Sequence, residues 1–122
     1  MAKKILLVDD SSTVLMMEQM ILSHGRYRLS TARDGEEAVA RARAERPDLI
    51  LLDVVMPRMD GLEALRALRA DEATERIPVI MVTTRSEADC METGFARGCN
   101  DYVTKPVNSV ELLAKVRNLL GE

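Results

Sequence analysis

Aromatic side chains are nearly missing from this chain: no Trp, one Phe and two Tyr among 122 residues. That excludes base-stacking platforms and aromatic cages as its working surface. A basic excess is missing too. Seventeen Lys and Arg face twenty Asp and Glu, a net charge of −3, so nothing drives binding to nucleic acid or to an anionic membrane. No apolar run approaches the roughly 18 residues of a membrane span. The run Ile5–Leu6–Leu7–Val8 after Met-Ala-Lys-Lys is too short for a signal peptide. The two cysteines, Cys90 and Cys99, are not in a CxxC pair and are expected to be reduced packing residues. A soluble, cytoplasmic protein is expected, with no membrane insertion and no nucleic-acid partner.

What remains is ordinary for a folded domain: 47% apolar and 30% charged residues, with eight Met helping to fill the core. The length suits one domain over residues 1–122. Strand-length apolar runs alternate with amphipathic segments. Strands are expected at Ile5–Val8, Tyr27–Ala32, Leu49–Leu52, Pro78–Thr83 and Asp101–Thr104. Helices are expected at Ser11–Leu22, Asp34–Ala44, Asp60–Leu68, Ser86–Arg97 and Val107–Leu120. Asp34 with Glu37, Asp60 with Glu63, and Asn108 with Glu111 each fit a capping box. Strands that are apolar without alternation are covered on both faces, which argues parallel pairing. Five βα units give a doubly wound α/β sheet, with strand order 2-1-3-4-5 the natural expectation.

In such a sheet the site lies beyond the carboxyl ends of the strands. The first strand delivers Asp9 and Asp10, the third Asp53, the fourth Thr83, and the fifth Lys105 with Pro106 next to it. Two like charges about 5 Å apart repel by roughly 3 kcal/mol at an effective dielectric near 20. A hard divalent cation offsets this, and Mg2+ suits carboxylates plus water plus a phosphate oxygen. Mn2+ or Ca2+ could substitute. Three carboxylates, one Mg2+ and the Lys105 ammonium sum to zero formal charge. Asp53 stands alone at the end of the central strand, so it is the expected nucleophile toward phosphorus, forming an acyl phosphate. Lys105 would stabilise the transferring oxygens, and Thr83 would donate its hydroxyl to them.

Four motifs carry a resemblance across essentially the whole chain. They are Leu7-Val8-Asp9-Asp10 with Ser11-Ser12, Asp53-Val54-Val55-Met56-Pro57-Arg58-Met59-Asp60-Gly61, Met81-Val82-Thr83-Thr84, and Asp101-Tyr102-Val103-Thr104-Lys105-Pro106. Each is weak alone; all four in this order are specific. The chain resembles the response-regulator receiver domain, the CheY-like family of two-component signalling. The resemblance implies Asp53 as phospho-acceptor, and Asp9, Asp10, Asp53 and the Val55 backbone carbonyl as metal ligands. It implies Thr83 and Tyr102 as a switch pair, in which the Thr83 hydroxyl moves toward the phosphoryl group and the Tyr102 ring turns inward. It implies a cis peptide at Lys105–Pro106. It implies a docking patch of Val14, Met17, Met56 and Pro106 for a histidine kinase or His-phosphotransfer domain. The output would be a change in the face made by the fourth helix, fifth strand and last helix, read by a downstream protein. A monomer is expected, with that face the route to any dimer. The stretch after Pro106 is long enough for one helix only, so no output domain is expected within the chain.

Some positions depart from the family pattern. Val55 and Arg85 flank the path that the resemblance implies for the hydrolytic water, and neither is an amide or an acid, so slow self-dephosphorylation is expected. Thr84 is bulkier than the usual small residue and is expected to slow small phosphodonors, while Val107 replaces a common Phe as a packing change. Of Met16, Met17 and Met20, one or two are expected to be exposed. His24 reads as a helix C-terminal dipole partner. Arg66, Arg69 and Arg76 read as a solvated face. Two enzyme-like alternatives fit less well. An aspartate phosphatase would want its second Asp two positions on and a cap domain, and a flavodoxin-like carrier needs aromatics and a Gly-rich phosphate loop.

Overall fold

The computed structural model describes residues 2–23, 25–54, 56, 59–83 and 98–122. The expected helix over Ser86–Arg97, together with His24, Val55, Thr84, Arg85 and Cys90, lies outside the described residues. The strands are β1 (Lys3–Val8), β2 (Tyr27–Ala32), β3 (Leu49–Asp53), β4 (Val79–Thr83) and β5 (Asp101–Thr104). The described helices are α1 (Ser12–Leu22), α2 (Gly35–Glu45), α3 (Gly61–Arg69) and α4 (Ser109–Leu120). All strand pairs are parallel and the sheet order is β2-β1-β3-β4-β5, as the sequence pattern predicts.

The unbroken apolar strands serve two cores at once. Successive side chains in a strand point to opposite faces. Leu6, Val8, Ile50, Leu52 and Met81 therefore pack with residues of α2 and α3 on one side. Ile5, Leu7, Leu49, Leu51, Ile80 and Val82 pack with Leu15 and Leu22 of α1 and with Leu112 and Val116 of α4 on the other. The forward half of each expected capping box is present: Asp34, Asp60 and Asn108 accept from the backbone N–H of Glu37, Glu63 and Glu111. The return half differs. Glu37 reaches one residue further back and accepts from Arg33 N at 2.7 Å. Glu111 faces Lys115 at 3.5 Å.

Two surface expectations need correction. Met16, Met17 and Met20 are all exposed, at 60%, 40% and 64%, because Leu15, Glu18 and Leu22 take the buried stripe of α1. Arg66 and Arg76 are solvated, but Arg69 is not part of an open face. Its guanidinium donates to the carbonyls of Gly98 (2.9 Å), Glu75 (3.1 Å) and Ile77 (2.7 Å) and to Asn100 Oδ1 (3.1 Å). A planar five-donor fork suits such a cluster of carbonyls. It ties the end of α3 to the entrances of β4 and β5.

Gly61 has the tightest setting. A Cβ there would come within 2.1 Å of the Asp53 carbonyl oxygen, and Gly61 N donates to Val54 O at 2.7 Å. The start of α3 thus lies directly on the backbone that carries Asp53. Gly61→Ala is expected to destabilise the fold by about 1–3 kcal/mol through forced backbone displacement. A lowered urea midpoint with unchanged m-value is the check.

Candidate functional site

Parallel pairing builds the site. Val8 of β1 sits opposite Leu52 of β3, so the next residues along each strand, Asp9 and Asp53, emerge side by side. Thr83 ends β4 one residue beyond Val82, the partner of Asp53, and faces Thr104 of β5. Lys105 comes immediately after Thr104, and its backbone N–H donates to Thr83 O at 2.6 Å. The Lys105–Pro106 peptide is cis, as the resemblance implied.

The Lys105 ammonium lies between two carboxylates, 3.1 Å from Asp53 Oδ1 and 3.2 Å from Asp9 Oδ2. Asp9 and Asp53 are buried, and Asp10 is exposed at the rim. One carboxylate oxygen from each of Asp9, Asp10 and Asp53 lies within 4.8 Å of the others. Asp9 Oδ1 accepts from Ser11 N at 2.9 Å, which orients the group at the mouth of α1. Asp9 Oδ2 is fully buried, and the Lys105 ammonium at 3.2 Å is its charged neighbour. A hard cation fits this donor set, since it takes oxygen ligands and would offset three carboxylates that share one ammonium.

Burial pushes the Asp53 carboxyl up to about 6; the Asp9 charge adds to the rise, and Lys105 opposes it. Burial also opposes the charge on Lys105, but Asp53 and Asp9 hold its ammonium above the ordinary range.

Sequence reasoning missed a fourth acid. Glu18 is 1% exposed on the inner stripe of α1, and its Oε1 has no hydrogen-bond partner. Burial pushes its carboxyl up to about 8, with Asp9 next in effect and Asp53 adding to it, while Lys105 opposes. The signal was available: Leu15, Glu18 and Leu22 have helical i, i+3, i+7 spacing, which puts the acid on the apolar face.

Other expected residues fall in different places. Thr83 is fully buried at its strand end. Tyr102 lies opposite Met81 on the edge strand, with its ring packed on the α2–α3 side of the core. Val14, Met17 and Pro106, with Lys105 and Val107, line a small apolar hollow of about 160 Å³ beside the acidic cluster. Met56 does not join them. It is 7% exposed and packs in the opposite core layer with residues of α2 and α3. Cys99 is a free thiol, buried, with burial raising it to about 11.

The model of the response regulator receiver domain matches residues 5–117. The chain belongs to the receiver-domain family of two-component signalling. Receiver domains are signalling switches that work with histidine kinases or phosphotransfer proteins and with downstream targets, and are not conventional enzymes. Protein PilH of Pseudomonas aeruginosa is 41% identical over 97% of this chain and 98% of its own length. The alkaline phosphatase synthesis regulatory protein PhoP of Bacillus subtilis is 40% identical over 98% of this chain, which spans 49% of that relative. Chemotaxis protein CheY4 of Vibrio cholerae superposes with a TM-score of 0.90 at 34% identity, covering 98% of this chain and 99% of that one. The receiver domain of sensor histidine kinase PA1611 from P. aeruginosa, solved with magnesium in its active-site cleft, superposes with a TM-score of 0.91. It is 33% identical and covers 100% of both chains. Among the described residues no helix is long and apolar enough to cross a membrane.

The buried Glu18 generates a pH prediction. Its folded value near 8 lies above its ordinary 4.5, so the folded state holds a proton that the unfolded chain releases. Stability from this group is intact below about 4.5 and falls as pH rises toward 8. Glu18→Gln keeps the shape of the protonated acid. It is expected to match the native chain at pH 4.5 and to exceed it by a few kcal/mol at pH 8, read from denaturant midpoints in metal-free buffer.

Proposed function

We propose that this chain is a phosphorylation-controlled switch with Asp53 as phospho-acceptor. The observation that carries the reading is the single ammonium of Lys105 set between Asp9 and Asp53, with Asp10 completing the oxygen cluster. A carboxylate oxygen of Asp53 forms the bond to phosphorus as the donor's bond to phosphorus breaks, and the electron pair leaves with the donor. Lys105 neutralises the transferring oxygens, and the Thr83 hydroxyl donates to them afterwards. Asp9, Asp10, Asp53 and the Val55 carbonyl are the groups that would hold Mg2+. When bound, that ion supplies positive charge against the acids and the phosphoryl oxygens.

The donor is a histidine kinase or His-phosphotransfer domain, docking on the hollow lined by Val14, Met17 and Pro106. The apolar character of that hollow beside Lys105 supports this placement. Thr83 and Tyr102 pass the signal toward β5 and α4, where a downstream protein reads it. Phosphorylation turns one negative charge at Asp53 into about two and adds acceptor oxygens. A coupling of about 1–3 kcal/mol would change partner affinity roughly 5- to 150-fold. Likeness to the chemotaxis response regulator CheY4 supports chemotaxis-type signalling, with a phosphorelay as the other reading and the cytoplasm as the proposed location.

Intact mass after incubation with acetyl phosphate and Mg2+ is expected to show one added phosphoryl group on the native chain and none on Asp53→Ala. Omitting Mg2+ is expected to abolish the gain. Multiple turnover of phosphomonoesters, or an unchanged gain in Asp53→Ala, contradicts the reading. Val55→Asn is expected to speed phosphoryl loss roughly tenfold, about one hydrogen bond to the attacking water. Equal lifetimes in the two proteins would show that this position does not set the rate.

A further inference from the structure

Lys115, on α4, is not among the groups that handle phosphate, yet it meets Tyr102 at both its backbone and its ring. Its Nζ donates to Tyr102 O at 2.5 Å and stands 5.4 Å from the centre of the Tyr102 ring. Asp101 Oδ1 lies 3.3 Å from the same ammonium and Glu111 Oε1 3.5 Å. Two acids, one on the strand and one a turn earlier on the helix, thus pin the charge where it meets both the backbone and the ring of Tyr102. The ammonium is only partly exposed, which strengthens a charge–ring contact over one in open water.

We propose that Lys115 is a positioning residue that latches the Tyr102 ring and couples its position to α4. The inference rests on the reading of Tyr102 as a switch residue. A latch of this kind links two pieces of the output face, edge strand and last helix, through one side chain. When the ring changes place, the ammonium loses its ring partner and redistributes toward Asp101 and Glu111. The arrangement of charge along α4 then changes with the state of Asp53, while its net charge stays the same.

The test uses the full chain with ring-fluorinated tyrosine, which gives two fluorine NMR signals because the chain has two Tyr. Tyr27, whose hydroxyl donates to Glu122 Oε1 at 2.8 Å, is the internal reference, and Tyr27→Phe assigns the signals. In the native chain, acetyl phosphate with Mg2+ is expected to move the Tyr102 signal and leave Tyr27 in place. In unphosphorylated Lys115→Met the Tyr102 signal is expected to lie part-way toward its phosphorylated position. That corresponds to a change of about 2- to 5-fold in the ratio of ring positions. Lys115→Arg keeps the charge and is expected to restore the native position. Matching circular dichroism melts exclude loss of fold as the cause. A Tyr102 signal identical in the native chain and Lys115→Met, in both states, overturns the latch while leaving the switch reading intact. A native Tyr102 signal that ignores phosphorylation overturns the switch reading and the latch with it.

Discussion

The charge balance among Asp9, Asp53 and Lys105 is the constraint around which the molecule is arranged. Parallel pairing of β1 with β3 forces two buried carboxylates to emerge side by side. A single ammonium reaches both. Asp10 at the rim brings a third carboxylate to the same region, more than one lysine can neutralise. Burial and crowding show in the carboxyls themselves, with Asp53 raised to about 6 and the buried Glu18 to about 8, where it holds its proton at neutral pH. Sheet topology rather than local sequence creates this crowding. It makes the pocket responsive to any added cation or phosphoryl charge.

Much of this was legible from residues alone, for identifiable reasons. Strand boundaries came from short apolar runs closed by Asp or Thr, and three helix starts from Asp34, Asp60 and Asn108. The site was legible because a doubly wound parallel sheet gathers whatever stands at its strand ends. The features that were not legible depend on partners distant in sequence. Arg69 looks like any surface arginine until the loop carbonyls at Glu75 and Ile77 and the turn at Gly98 close around it. The family resemblance put Met56 in the docking patch, yet its side chain fills the opposite core layer. Glu18 was hidden by expectation, since an acid on an apolar stripe contradicts the usual cost of burying charge.

The two ends of β4 have opposite mechanical characters. At its start, Asn100 Oδ1 accepts both from Val79 N at 2.9 Å and from Arg69 at 3.1 Å, and the Arg69 fork holds the surrounding carbonyls. That end is fixed by many directional bonds. At the other end Thr83 lies beside ionisable groups whose charges depend on what is bound.

In the proposed switch, one backbone contact would carry a change of charge at Asp53 to β5. Lys105 N donates to Thr83 O at 2.6 Å, while the Lys105 ammonium divides its attraction between Asp9 and Asp53. In the proposed switch, a phosphoryl group on Asp53 breaks that even division. The ammonium moves toward the larger charge, and Thr83 and Lys105, joined through the main chain, respond together rather than separately. Tyr102 lies on the same strand, three residues before Lys105, with Lys115 bonded to its carbonyl. A small displacement at the ammonium therefore has a continuous path of backbone and side-chain bonds to α4.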